Sequence, residues 1–219
     1  MRIVLYGAGN VGKMVAYLLS YSDEVQVAAV VDDNPDTWGT EVRGVPVVGG
    51  RDRLPALLAD GVTGAICSIG DNRTRGRLSA ALADAGFEII NAIHPTAMIS
   101  TDVRMGKGNI VAAGVTLYVD PVIGDNVYFD VGAVVSHDTI IGDNALISAG
   151  VTIGARIDIG RNVLVGLGAS VMTPKWGKES RLRVGDNAVV GIGAVVIEDV
   201  PDNAVVVGVP AKIIRYQQS

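Results

Sequence analysis

The sequence predicts two domains of different fold class. Residues 1–91 are expected to form an α/β N-terminal Rossmann-like domain, and residues 92–219 a C-terminal left-handed parallel β-helix of hexapeptide repeats. The first prediction rests on strand-like and helix-like segments that alternate from the start of the chain. The second rests on an apolar residue that recurs at every sixth position, with turn-forming residues at fixed places between.

The N-terminal segments follow the order of a β-α-β unit, which implies a parallel sheet with helices packed on it. A glycine-rich loop, Gly7-Ala8-Gly9-Asn10-Val11-Gly12, separates the first strand from the first helix, and Asp32-Asp33 ends the second strand. In chain order, the sequence predicts a strand, a helix, a strand, a helix, a strand and a helix: Arg2–Tyr6, the segment from the loop through Leu19, Val25–Val31, Leu54–Ala59, Gly64–Ile69 and Arg73–Ala85.

The C-terminal repeats keep a strict period. From Ile99 to Val171, all thirteen residues at six-residue steps are apolar, although apolar residues make up only 49% of the chain. Six residues supply one short strand and a corner, and three such faces close a triangular coil of about eighteen residues. Glycine often follows the apolar residue, and Gly-Asp-Asn recurs at 124–126, 142–144 and 185–187, as tight corners require. Neither a helix nor an ordinary strand keeps this period, so the pattern predicts a solenoid.

The register breaks after Val171 and resumes at Val184. We therefore interpret Lys175–Arg181 as a loop extruded from a corner of the solenoid. Two interpretations of this loop stay open. It is either a tolerated surface insertion, or its lysine, arginine and tryptophan side chains help to hold an anionic ligand.

Composition excludes several classes of function. The net charge of −5 argues against a general affinity for nucleic acid or anionic membrane. No apolar run approaches the roughly 20 residues that span a bilayer, and neither end resembles an export signal, so we expect a cytoplasmic protein. Cys67 is the single cysteine, which excludes an internal disulfide and a thiolate metal cluster. We expect it to be a small buried hydrophobe.

Several motifs together resemble one family. The hexapeptide array, Ser136-His137-Asp138 and the closing Gly208–Lys212 segment are similar to the left-handed β-helix acyltransferases. With the preceding domain, which contributes Gly7-Ala8-Gly9, Asp32-Asp33, Ser68-Ile69-Gly70-Asp71-Asn72 and Ile93-His94-Pro95, the whole chain resembles the sialic acid O-acetyltransferase and nucleotide-sugar N-acetyltransferase family. The resemblance implies acetyl-CoA as cosubstrate. It also implies a homotrimer in which coenzyme A and the active site lie between subunits.

The candidate base is His137. Acetyl transfer from a thioester to an amine or alcohol needs a base near the acceptor and donors for the developing oxyanion. His137 occupies the third place of its hexad, which is expected to point away from the core, and Asp138 could hold its tautomer and raise its basicity. A surface histidine that caps a corner is the alternative.

His94, the other histidine, is interpreted as structural at the domain boundary. Two histidines are too few for the three-histidine zinc site of a hexapeptide carbonic anhydrase, so no metal is predicted.

Four residues are candidates for binding acetyl-CoA. Ala155 lies one coil beyond His137, and its backbone N–H is predicted to donate to the oxyanion, a role that the resemblance also implies. The resemblance further places the backbones of Leu146 and Leu167 near the pantetheine arm. Lys212 is a candidate partner for the coenzyme A phosphates, or else an ordinary exposed lysine.

The glycine-rich loop has two possible ligands. With Asp32 twenty residues beyond Gly12, it fits the dinucleotide fingerprint. An NAD-binding domain therefore stays open, although the domain supplies only about half of a dinucleotide fold. The resemblance implies instead that the nucleotide end of a nucleotide-linked amino-sugar is bound here, by Gly7, Gly9, Asn10, Val11, Asp32, Asp33 and Gly70. Members of the family often have Gly-His where this chain has Asn10-Val11.

Together these features predict an acetyl-CoA-dependent N-acetyltransferase that acts on a nucleotide-linked amino-sugar. O-acetylation of a sugar or of sialic acid by the same residues is one alternative. A non-catalytic, nucleotide-binding assembly scaffold is an alternative of another class.

Overall fold

The computed structural model describes residues 1–173 and 181–217. The chain divides into two compact units, Met1–His94 and Pro95–Ser219, called unit 1 and unit 2 below. Unit 1 has the predicted α/β fold and unit 2 the predicted left-handed parallel β-helix, which confirms both fold classes.

Unit 1 contains a parallel sheet of four strands in the order β2-β1-β5-β6. Both faces of its central strands are buried, as expected of a parallel sheet covered by helices. The pair β3 and β4 forms a separate antiparallel hairpin. In chain order the elements are β1 (Arg2–Tyr6), α1 (Asn10–Leu19), β2 (Gln26–Val31), a 3₁₀ turn (Pro35–Thr37), β3 (Glu41–Val42), β4 (Val45–Pro46), a second 3₁₀ turn (Arg51–Arg53), α2 (Leu54–Ala59), β5 (Gly64–Cys67), α3 (Asn72–Asp84), β6 (Glu88–Ile89) and β7 (Ala92–Ile93).

The predicted segments of unit 1 agree with these bounds to within one residue, except at one strand end. The strand predicted over Gly64–Ile69 ends at Cys67, because Ser68 turns its side chain back to the neighbouring strand. The Ser68 hydroxyl donates to the carbonyls of Tyr6 and Gly7, at 2.9 Å each. Helix α3 then begins after Asp71, whose carboxylate accepts from Thr74 N–H at 2.8 Å.

Unit 2 is a solenoid whose strands pair with strands one coil away. The strands are β8 (Met98–Ile99), β9 (Arg104–Met105), β10 (Ile110–Val111), β11 (Thr116–Leu117), β12 (Val122–Ile123), β13 (Tyr128–Phe129), β14 (Val134–Val135), β15 (Ile140–Ile141), β16 (Leu146–Ile147), β17 (Thr152–Ile153), β18 (Ile157–Ile159), β19 (Leu164–Val165), β20 (Ser170–Val171), β21 (Leu182–Val184), β22 (Val189–Val190), β23 (Val195–Val196), β24 (Ala204–Val207) and β25 (Lys212–Tyr216). They form three faces. Face A contains β8, β11, β14, β17, β20 and β23; face B contains β9, β12, β15, β18 and β21; face C contains β10, β13, β16, β19, β22, β24 and the antiparallel β25.

The six-residue apolar positions are the inward positions of these strands. Each of the thirteen residues from Ile99 to Val171 is the last residue of its strand, and those from Val111 onward are buried. Asparagines stabilise one corner, where Asn126, Asn144, Asn162 and Asn187 take positive φ. Their side-chain amides bond from coil to coil at 3.1–3.3 Å. This ladder is the physical reason for the asparagine in the repeated Gly-Asp-Asn.

The register shift after Val171 is confirmed. Ile141 pairs with Ile159, eighteen positions later, whereas Ile159 pairs with Val184, twenty-five positions later. Seven additional residues therefore lie between β20 and β21. Of the predicted loop Lys175–Arg181, only Arg181 belongs to the described residues, and the other six lie outside them.

No helix within residues 1–173 and 181–217 is long and apolar enough to cross a membrane.

Candidate active site

His137 lies on the corner that leads from face A to face B, called the A–B corner below. Its side chain is 49% exposed, and its Nδ1 atom lies 2.8 Å from Oδ2 of Asp138. An ionised carboxylate accepts hydrogen bonds and cannot donate them. In this contact the proton of the neutral imidazole therefore belongs on Nδ1. The lone pair is then on Nε2, which can accept a proton from a reacting group.

Asp138 is held on both sides of its backbone. It has a φ of 55°, a conformation uncommon for residues other than glycine, asparagine and aspartate. Its N–H donates to Val119 O at 3.2 Å, and its carbonyl accepts from Arg181 Nη2 at 2.6 Å. Fixing this backbone limits the positions that the carboxylate facing His137 can take.

The peptide bond between Gly154 and Ala155 lies one coil above His137 on the same corner. Two threonines hold its two ends: Thr139 Oγ1 donates to Gly154 O at 3.0 Å, and Ala155 N–H donates to Thr173 Oγ1 at 3.0 Å. The N–H predicted as oxyanion donor is therefore bonded to a side chain in this structure. A thioester carbonyl would have to displace the Thr173 hydroxyl or share the donor with it.

The other predicted coenzyme A residues lie elsewhere on the solenoid. Leu146 is in β16 of face C, Leu167 follows β19 of the same face and is 49% exposed, and Lys212 begins β25, also on face C. In a triangular coil, face C is opposite the A–B corner. One chain therefore does not bring these three residues to His137.

In unit 1, Asp32 organises the glycine-rich loop. Its Oδ2 accepts from Ala8 N–H at 2.7 Å, and its Oδ1 accepts from Asn34 N–H at 2.8 Å. Gly12 is needed for close packing in the same loop, because a Cβ there would lie 2.1 Å from Gly7 O. At Gly9, by contrast, a Cβ would meet nothing within 4 Å. Gly9 borders open space on that side, where a ligand could approach the backbone.

Asp33 points to a different set of groups. It forms an ion pair with Arg51, and this guanidinium lowers the pKa of the Asp33 carboxyl from its ordinary value. The Tyr6 hydroxyl is buried near the same carboxylate. Burial raises the pKa of Tyr6, and the negative charge of Asp33 raises it further. Sequence reasoning named Asp33 but missed Tyr6 and Arg51, because neither stands in a recognisable motif.

Gly70 lies beside the start of α1. A Cβ at Gly70 would lie 3.7 Å from Val11 Cγ2, so the structure brings these two predicted substrate residues together. Asn10, which begins α1 directly before Val11, is exposed. The buried Arg75 stabilises the Gly70 loop by donating to the carbonyls of Ile69 and Gly70, at 3.0 and 3.1 Å.

His94 and Cys67 are both buried. His94 is 6% exposed and contacts the rings of Tyr21 and Tyr17, with centroids 4.9 and 6.0 Å away. Burial raises the pKa of the Cys67 thiol to about 11. Within residues 1–173 and 181–217, no three or more histidine, cysteine, aspartate or glutamate residues are grouped so that they could hold a metal ion.

Two families match parts of the chain. Residues 2–82 match the PglD N-terminal domain, and residues 120–155 match the bacterial transferase hexapeptide of six repeats. A curated relative, the UDP-N-acetylbacillosamine N-acetyltransferase of Bacillus subtilis, is 30% identical over 117 residues. That alignment covers 51% of this chain and 51% of the relative, so the chain spans about half the length of this curated protein.

Solved structures match over almost the whole chain. A variant of perosamine N-acetyltransferase from Caulobacter crescentus, in complex with CoA and GDP-perosamine, is 36% identical with a TM-score of 0.90. The match covers 98% of this chain and 97% of that one. The acetyltransferase domain of PglB from Neisseria gonorrhoeae, in complex with acetyl coenzyme A, is 30% identical with a TM-score of 0.86, over 97% and 98% of the two chains.

Proposed function

Because the chain belongs to the family of nucleotide-amino-sugar N-acetyltransferases, we propose that it transfers an acetyl group from acetyl-CoA to the amino group of a nucleotide-linked amino-sugar. The structures of relatives that hold both CoA and GDP-perosamine support this substrate class. A reaction between acetyl-CoA and a nucleotide sugar would take place in the cytoplasm.

The observation that carries the proposal is the His137–Asp138 pair on an exposed corner of the solenoid. The carboxylate accepts from Nδ1, with 2.8 Å between the two heavy atoms, and leaves Nε2 with the lone pair. A general base needs such an arrangement, because an imidazole with a fixed tautomer presents its lone pair to the substrate.

The reaction then follows from the positions of these groups. The sugar amine attacks the thioester carbonyl carbon and gives up a proton to His137 Nε2, while the carbonyl oxygen gains negative charge. Ala155 N–H stabilises this oxyanion, once the Thr173 hydroxyl has made room for it. The C–S bond breaks, the coenzyme A thiolate leaves, and the proton on His137 can neutralise it.

We assign the nucleotide to unit 1. The loop from Gly7 to Gly12 presents open backbone at Gly9, and Gly70 lies beside Val11. Asp32 accepts from two backbone amides and thereby shapes the loop, and its remaining lone pairs could accept from the nucleotide. Asp33, whose carboxylate is paired with Arg51, is a second polar group that could contact the nucleotide.

We further propose a homotrimer in which the active site lies between subunits. Leu146 and Lys212 lie on face C, and Leu167 lies on the corner that leads from face C to face A, whereas His137 lies on the A–B corner. In the proposed trimer, a neighbouring subunit would supply these residues to an acetyl group bound beside His137. Sedimentation analysis tests the trimer.

The experiment that tests the function is a screen of UDP-, GDP- and dTDP-linked amino-sugars for release of free coenzyme A thiol. Mass spectrometry of the product, with and without hydroxylamine, separates a stable amide from a labile ester and thereby N- from O-acetylation. Acetyl-CoA binding without transfer to any of these acceptors would contradict the proposed enzymatic function. Absence of acetyl-CoA binding by calorimetry would favour the non-catalytic assembly scaffold.

A further inference from the structure

Arg181 connects three successive coils of the solenoid at the A–B corner. It directly precedes β21 and reaches back toward the coil that carries His137. Its Nε donates to Asp158 Oδ1 at 2.7 Å, and its Nη2 donates to the carbonyls of Asp138 and Ile157, at 2.6 and 3.3 Å. Both Arg181 and Asp158 are about one-third exposed, so the pair is partly shielded from water.

The contact with Asp138 stands out chemically. A guanidinium has five N–H donors, and after Nε is used for Asp158, Nη2 remains to bond the backbone carbonyl of the residue that faces His137. Asp138 is in the left-handed region, and its two backbone bonds run in opposite directions, to Val119 below and to Arg181 above. Without Arg181, the backbone of Asp138 itself would keep only its bond to Val119, although His137 O would still accept from Arg156 N–H at 3.1 Å.

We propose that Arg181 is a positioning residue: it fixes the backbone of Asp138, and through the Asp138 carboxylate it orients the imidazole of His137. Asp158 in turn helps to fix Arg181, because its carboxylate accepts a charge-assisted hydrogen bond from Nε at 2.7 Å. The part of this inference that concerns rate rests on the proposed function. The part that concerns the orientation of the ring does not.

Arg161 offers a matched control. It forms the same kind of cross-coil ion pair, with Asp186 at 3.2 Å, but on the corner between faces B and C. Its side chain is 67% exposed, and neither Arg161 nor Asp186 belongs to the proposed catalytic or binding groups. Arg161→Gln therefore removes a comparable ion pair without touching Asp138.

The test compares Arg181→Gln, Arg181→Lys and Arg161→Gln. We expect Arg181→Gln to lower kcat about tenfold with KM for both substrates changed less than about twofold, Arg181→Lys to recover part of the loss, and Arg161→Gln to match wild type. In an Asp138→Asn background, Arg181→Gln should lower kcat less than about twofold, because the group through which it acts is already altered. Equal losses in both backgrounds would overturn the proposal.

The imidazole signals supply a readout that is independent of activity. The chain has two histidines, so the ring ¹⁵N resonances of His137 and His94 can be followed separately. Arg181→Gln should shift or broaden those of His137 at constant pH and leave those of buried His94 in place. Unchanged His137 signals would overturn the proposal. If Arg181→Gln shifts the His137 signals but the wild-type protein transfers no acetyl group, the positioning role stands and the proposed function is wrong. Should Arg181→Gln fail to fold, Asp158→Asn provides the same comparison with Arg181 retained.

Discussion

Nδ1 of His137 lies 2.8 Å from Oδ2 of Asp138, although the two residues are adjacent in sequence and most adjacent side chains diverge. The left-handed backbone at Asp138 makes this contact possible, because it turns the carboxylate back toward the preceding residue. A short-range pair of this kind depends on the backbone that supports it, so the bonds of Asp138 to neighbouring coils matter as much as the two side chains.

Replacement of His137 by glutamine should remove the general base and keep much of the side-chain volume. We expect kcat to fall by roughly 10²–10⁴-fold, the usual contribution of a positioned base. Because the side chain is half exposed, the free energy of unfolding should change by no more than about 0.5 kcal/mol. Thiol-release assays and denaturant unfolding measure the two quantities, with Arg161→Gln as control. A variant that retains wild-type kcat would remove His137 from the mechanism.

The Thr173 hydroxyl accepts from the Ala155 N–H, and its removal should free this donor. We expect Thr173→Val to raise kcat/KM for acetyl-CoA by up to about fivefold, since one competing hydrogen bond of about 1 kcal/mol is lost. The same change should lower the free energy of unfolding by about 0.5–1.5 kcal/mol. Thr173→Ser keeps the hydroxyl and should behave as wild type. A tenfold loss of activity in the valine variant alone would mean that the hydroxyl itself assists the reaction.

Sequence periodicity predicted the solenoid because the inward position is set by local geometry alone. Each apolar residue from Ile99 to Val171 ends its own short strand, and the shift before Val184 appears as seven additional residues. The contacts made by Thr139, Thr173 and Arg181 depend instead on which residues are stacked one coil apart. Adding eighteen to Ala155 leads to Thr173, so this contact could have been found. Arg181 could not, because the inserted residues hide its register.

In unit 1, the sequence predicted the glycine-rich loop, but the space available for a side chain differs from one glycine to the next. Gly12→Ala would place a Cβ 2.1 Å from Gly7 O, a backbone atom that cannot easily move. We expect this change to destabilise unit 1 by several kcal/mol, a size typical of severe overpacking.

Gly9→Ala is the matched control, since its Cβ would meet nothing within 4 Å. It should leave the free energy of unfolding within about 0.5 kcal/mol of wild type and weaken binding of the nucleotide sugar, if the ligand approaches the backbone there. Calorimetric titration with the acceptor measures this. Unchanged affinity in a folded Gly9→Ala protein would place the nucleotide elsewhere.

The reactivity of the single cysteine, Cys67, decides whether it contributes a background signal to a thiol-release assay. Cys67 is 2% exposed and burial raises the pKa of its thiol to about 11, so the reactive thiolate should be scarce at pH 8. We expect the native protein to give no titre with a thiol reagent, and one equivalent per chain after unfolding in denaturant.

The same thiol should make stability depend on pH. Between the ordinary thiol pKa of roughly 8.5 and about 11, only the folded protein keeps the proton, so the free energy of unfolding should fall as pH rises through this range. A Cys67→Ser control should abolish both the titre and this pH dependence. A rapid titre in the native state would show instead that β5 opens far more readily than its buried position allows.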